Sequence, residues 1–260
     1  MNITFQSAIS RVCQVTEEFK KAMDVPDKVA KVALSTINLL KEMGFFVLTF
    51  AKTSTTLVGV VMMDDALNPF STGVNILNGD TKVRTINLMA VQVLNAVKAA
   101  KYFELIHDFK WLPDAVSAIP FAAVINPLVI SLSLLGVRDN LKRPAQIDAV
   151  VKKATLKIAH WKLNPNGIDH STVCHKIAKW ENKQANSPIE KRKALNAIIA
   201  DILKVITASL ALLPLAGIVL PTLFIATVGF VGTCALGYRT GYNVWASSQL
   251  RDVKPVPIPA

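Results

Sequence analysis

Four side chains that could ligate a metal lie close together in the chain: His160, His170, Cys174 and His175. His170 and Cys174, four apart, would share one face of a helix, and His160 could fold back toward them. Zinc needs deprotonated ligands in a fixed geometry, and this spacing matches none of its established patterns, so no metal is expected. A second polar set sits in apolar surroundings: Lys52, Asp201 and Lys204. Ionisable groups within a bilayer line a polar route or pair with a neighbour. At a spacing of three, Asp201 and Lys204 can also pair with each other or mark a membrane boundary. A third set is mechanical. Gly229, Thr233, Gly237 and Gly241 recur every four residues, and Gly237 with Gly241 forms a GxxxG pair. On a helix they stack into a ridge that lets another backbone approach, within the chain or in a homo-oligomer. No P-loop, dinucleotide fingerprint, GxSxG, HExxH or paired CxxC occurs. The expectation is a non-enzymatic protein with no catalytic residues and no cofactor.

The elements that would carry these residues are dominated by one stretch. Val205 to Tyr238 contains no charged residue. As helix it would be roughly 50 Å long, against a hydrocarbon slab of about 30 Å. One straight pass is too long, whereas two passes need the end of the preceding helix as well. Ser187-Pro188-Ile189-Glu190 reads as a helix start, with a serine cap and proline in the first turn. Pro214, Gly217 and Pro221 fall where a hairpin would turn. The spacing therefore predicts a membrane hairpin within 195–238, with arms Leu195–Leu213 and Gly217–Tyr238. A second uncharged stretch, Ala115–Gly136, is long enough to cross, with Trp111 and Arg138 as interfacial anchors. Tyr238, Tyr242 and Trp245 would form the corresponding aromatic belt. Gly44–Met63 has the length of a further pass despite Lys52, whose burial at mid-membrane costs roughly 2.5–3.5 kcal/mol.

Other segments read as amphipathic helices. Residues 1–43 are expected to form a helical hairpin broken at Asp24-Val25-Pro26-Asp27. Asp64–Lys82, rich in Asp, Asn, Pro and Gly, reads as a loop, and helix resumes near Arg84. Within 137–194, helices are expected over Pro144–His160 and His170–Gln184, joined by the turn Asn164-Pro165-Asn166-Gly167. The end of the chain, 239–260, is a proline-rich tail. The fold class expected is all-α: a helical membrane protein with amphipathic helices and about four membrane segments, including the C-terminal hairpin.

Charge sets the expected orientation. The chain carries a formal net charge of +11, and residues 137–194 hold thirteen lysines and arginines against five acidic residues. By the positive-inside rule this loop faces the cytoplasm, and 239–260 returns to the same side. If 44–63 also crosses, the N-terminus is cytoplasmic too. The basic charges are interspersed with apolar helix faces, which suits anionic lipid headgroups or a cytosolic protein partner better than nucleic acid. Cys13, Cys174 and Cys234 are odd in number and scattered, which argues against a disulfide framework. Met1–Ala30 lacks an uninterrupted apolar core and a small-residue cleavage site, so no cleavable signal is expected. A small transporter or channel lined by Lys52, Asp201 and Lys204, and a membrane-shaping protein that wedges amphipathic helices into one leaflet, remain alternatives. The bilobed block Leu195–Leu213 / Gly217–Tyr238, together with the uncleaved Met1–Ser10, resembles inclusion-membrane-type proteins of chlamydia-like bacteria. That resemblance implies a secreted protein inserted in a host-vacuole membrane, with soluble parts facing the host cytosol.

Overall fold

The computed structural model describes residues 5–44, 48–77, 82–107, 120–163 and 170–250. Among the described residues 94% are helical and none lies in a strand. Among the described residues six α-helices follow one another: α1 (Phe5–Glu42), α2 (Leu48–Leu77), α3 (Val83–His107), α4 (Phe121–Leu163), α5 (His170–Leu210) and α6 (Thr222–Gln249). A 3-10 turn, Leu213–Ala216, precedes Gly217, whose left-handed φ of 77° suits a residue without a Cβ.

The helices are longer than the sequence signals suggest. The expected break at Asp24–Asp27 is absent, and α1 runs through Pro26. The loop expected over Asp64–Lys82 is helical as far as Leu77, because α2 continues through Asp64, Asp65 and Pro69; residues 78–81 lie outside the described residues. α4 joins the expected apolar pass to the amphipathic helix that follows it, with Pro127 and Pro144 inside. α5 likewise runs through the expected start at Ser187-Pro188. A proline in a helix interior costs about 3 kcal/mol in isolation. Burial of a long helical face against neighbours outweighs that. Side chains that favour turns are also satisfied along the helix: Asn68 Nδ2 donates to Asp64 Oδ2 at 2.8 Å, and Asn140 Nδ2 donates to the Gly136 carbonyl at 2.8 Å.

Two compact units divide the chain. The first comprises residues 1–135 with 200–238, the second 136–199 with 239–260. In the first unit α1 packs on α2 and α2 on α3. The last pair is antiparallel: the Tyr102 hydroxyl donates to the Thr55 carbonyl at 3.4 Å, while Gly73 meets Met89 near the other end. The apolar ends of α5 and α6 also run antiparallel, with Thr207 against Gly232. Ala30, Ala99, Ala200 and Ala208, all nearly inaccessible, let these helices approach closely.

The second unit is built on the polar halves of α4 and α5. A ladder of contacts fixes them as antiparallel. Lys162 faces Glu181 at 3.9 Å, Gln184 Nε2 donates to Thr155 Oγ1 at 2.7 Å, Lys191 pairs with Asp148, and Arg143 Nη2 lies 3.1 Å from Glu190. Between them Ala154, Val173, Ile177 and Ala178 form the core. The end of α6 joins this unit through Arg192, which lies over the Tyr242 ring at 5.7 Å.

Candidate functional site

Among the described residues three helices, α4, α5 and α6, are long and apolar enough to cross a membrane. Only 11%, 17% and 6% of their most apolar stretches, respectively, is buried in the protein. A soluble helical core would cover such faces; here Leu134, Ile202, Ile206, Phe224 and Val231 stand exposed. These faces are compatible with lipid as their solvent. The expected count of about four passes becomes three among the described residues. The described helix Leu48–Leu77 is not one of the three, and Phe45, Phe46 and Val47 of the expected fourth lie outside the described residues. Asp64 and Asp65 within one helix explain why its apolar first half does not extend to a full pass.

The expected small-residue ridge is only partly a contact surface. At Gly237 an added Cβ would lie 3.1 Å from Val32 Cγ2 of α1, so this position packs tightly. Gly229 and Gly241 face open space. The Thr233 hydroxyl donates within its own helix, to the Gly229 and Phe230 carbonyls at 3.1 and 2.9 Å. The closest approach falls at Gly232, off the ridge, where a Cβ would meet Thr207 Oγ1 at 3.0 Å. Spacing by four does not find Gly232; its contact depends on where α5 lies, which the sequence does not state.

Asp201 is buried, and Lys204 lies 3.7 Å from it within one turn of α5. That geometry matches a pair at the edge of the apolar stretch. Lys204 also borders a cavity of about 210 Å³ with Asn126, Thr207, Gly229 and Thr233. The Lys52 side chain and Trp111 lie outside the described residues, so the structure brings neither to this place. Arg138, Tyr238 and Trp245 are exposed where α4 and α6 leave their uncharged stretches, and Tyr242 stacks against Trp245 with ring centroids 5.3 Å apart. Among the described residues no group of three or more His, Cys, Asp or Glu is arranged to hold a metal. Cys174 is buried instead, and His160 packs edge-on against Trp161.

Two polar assemblies went unnoticed in the sequence. In the first unit Asp27 is fully buried on α1. Lys28 Nζ reaches it at 2.6 Å, and Lys31 Nζ lies 2.9 Å from both carboxylate oxygens. Burial alone would lower the Lys28 pKa, but the hydrogen bond and charge of Asp27 prevail and hold it above its ordinary value. Burial raises the carboxyl pKa of Asp64 and Asp65 on α2, and the nearby negative Asp27 adds to both.

In the second unit a polar cavity of about 310 Å³ opens between the three helices. Arg143, Lys193 and Arg239 line it, with Glu190, Asn140, Asn243 and Ser247. Glu190 accepts from Arg143 at 3.1 Å and from Lys193 at 2.8 Å, fixing both cations. Three cations and one carboxylate line the cavity. Its Arg239-Asn243-Ser247 wall is an i, i+4, i+8 stripe of α6, legible only once the helix is known to continue past Tyr238.

No family model matches this chain, and no curated protein or solved structure matches it.

Proposed function

We propose that the chain is a non-enzymatic integral membrane protein that holds a basic helical domain against anionic headgroups on one face of the bilayer. The observation that carries this reading is the coincidence of two patterns. The apolar stretches of α4, α5 and α6 are unburied. The lysine- and arginine-rich residues 137–194 lie on the polar continuations of α4 and α5. Three crossing helices alternate in direction, so the α4–α5 connection and the end of α6 fall on the same side, and the turn at Gly217 falls on the other. The positive-inside rule supports the cytosol as the former side. Each cation close to an anionic leaflet is worth about 1 kcal/mol toward it. The same face is open to a cytosolic protein partner, and a secreted effector seated in a host-vacuole membrane has this plan. The pairing of Lys204 with Asp201 satisfies both charges locally, which favours this reading over a conducting path.

Single cysteines introduced into a cysteine-free background test the arrangement in sealed membranes. Lys157→Cys and Ser248→Cys, both exposed positions, label with an impermeant maleimide from one side, and Ile218→Cys labels only from the other. Labelling of positions 157 and 248 from opposite sides would overturn the reading. The native Cys174 is unsuited to this purpose because it is buried.

A further inference from the structure

The geometry points to the cavity between Asn140, Arg143, Lys193 and Arg239 as a binding site for a phosphate group, seated at headgroup depth where the helices emerge from the bilayer. This rests on the reading that α4, α5 and α6 cross a membrane. Arg239 is the first charged residue after the uncharged run Val205–Tyr238. On α4, Asn140 lies one turn beyond Gly136, and its amide is anchored on that residue's carbonyl. At about 1.5 Å per residue, Arg239 and Asn243 span only the first ~6 Å past the apolar stretch. Headgroups occupy the outer ~5–7 Å of each leaflet. On that reading Arg239 and Asn243 fall at the depth of lipid phosphates.

Its chemistry suits that anion. Arg143 commits one guanidinium nitrogen to Glu190, and a guanidinium carries five N–H donors in a fork that fits phosphate oxygens. Lys193 adds a point charge held by the same carboxylate. Arg239 brings a second guanidinium to the wall, Asn140 and Asn243 supply neutral polar groups, and charge-assisted hydrogen bonds from such cations favour a phosphate oxygen. At about 310 Å³ the volume is at the small end of ligand pockets, enough for a phosphate with its ordered water and too small for a bulky headgroup to be enclosed.

The test uses the full-length protein in detergent, titrated with dihexanoyl phosphatidic acid and followed by phosphorus-31 line broadening. Saturable binding is expected, weakened tenfold or more by Arg143→Gln/Arg239→Gln and by Asn243→Asp. The last of these keeps every cation and introduces a negative charge. Lys152→Gln/Lys153→Gln, which removes two exposed charges elsewhere on α4, should bind within twofold of wild type. Competition by inorganic phosphate would assign the site to a soluble phosphate species; binding of the lipid without such competition would assign it to a headgroup. Equal weakening by both double substitutions, or wild-type binding by the cavity variants, would overturn the proposal. If cysteine labelling still places positions 157 and 248 together, that failure belongs to the cavity alone and the membrane arrangement stands.

Discussion

At the scale of single residues, close approach rather than spacing decides what a glycine does. Gly229, Gly232 and Gly237 all lie on α6, yet only the last two face a neighbour closely enough to exclude a side chain. Thr207 has little room to yield to a Cβ at Gly232, since its hydroxyl already donates to the Leu203 carbonyl at 2.8 Å. Gly232→Ile should therefore destabilise the protein by about 1–3 kcal/mol, the usual cost of overpacking, while Gly229→Ile should be neutral or slightly stabilising. Thermal unfolding in detergent separates the two; equal midpoints would remove Gly232 from the α5–α6 contact. The sequence pattern flagged Gly237, whose neighbour proved to be Val32 of α1. It missed Gly232, because a small residue identifies its partner only when the partner's position is known.

Among elements, the pairing of α1 with α2 carries ionisable groups whose behaviour follows from burial. Asp65 is half-buried, and desolvation raises its carboxyl pKa, with Asp27 and Asp64 adding to the rise and Lys31 and Lys98 opposing it. A folded-state pKa above the ordinary 3.8 means that the folded protein binds the extra proton between those two values. Stability contributed by this site therefore grows as pH falls through the raised value and diminishes again as pH rises. Wild type should gain stability relative to Asp65→Asn as pH is lowered from neutral toward 3.8, read as the difference in melting midpoint at each pH. A constant difference would show that Asp65 is solvated in the fold. Much of this layer was hidden in the sequence. The all-α class and the apolar stretches follow from period and charge, and they are what the structure contains. Helix ends do not follow so simply: Pro26, Pro69 and Pro188 and the Asp-rich segments look like breaks, and only tertiary packing carries the helices through them. The buried Asp27 was invisible for the same reason, sitting in a stretch whose composition favours a turn.

For the molecule as a whole, the unburied faces of α4, α5 and α6 are where lipid would replace protein in the proposed arrangement. Val231 is 46% exposed on α6, whereas Leu156, at 66%, lies on the basic continuation of α4. An arginine at mid-bilayer costs about 2.5–3.5 kcal/mol on insertion scales. Val231→Arg should therefore shift the protein toward alkaline-carbonate extraction, and Leu156→Arg should leave it in the pellet. Identical partitioning of the two variants would mean that protein rather than lipid surrounds α6. The turn Leu213–Ala216 with Gly217 has one more consequence. Neither it nor the chain on either side, from Val205 to Tyr238, bears an Asp, Glu, Lys, Arg or His. A helical pair tipped by such a turn can sink into a bilayer already folded, with no ion obliged to traverse oil. Its assembly would therefore be indifferent to the electrical potential across the membrane.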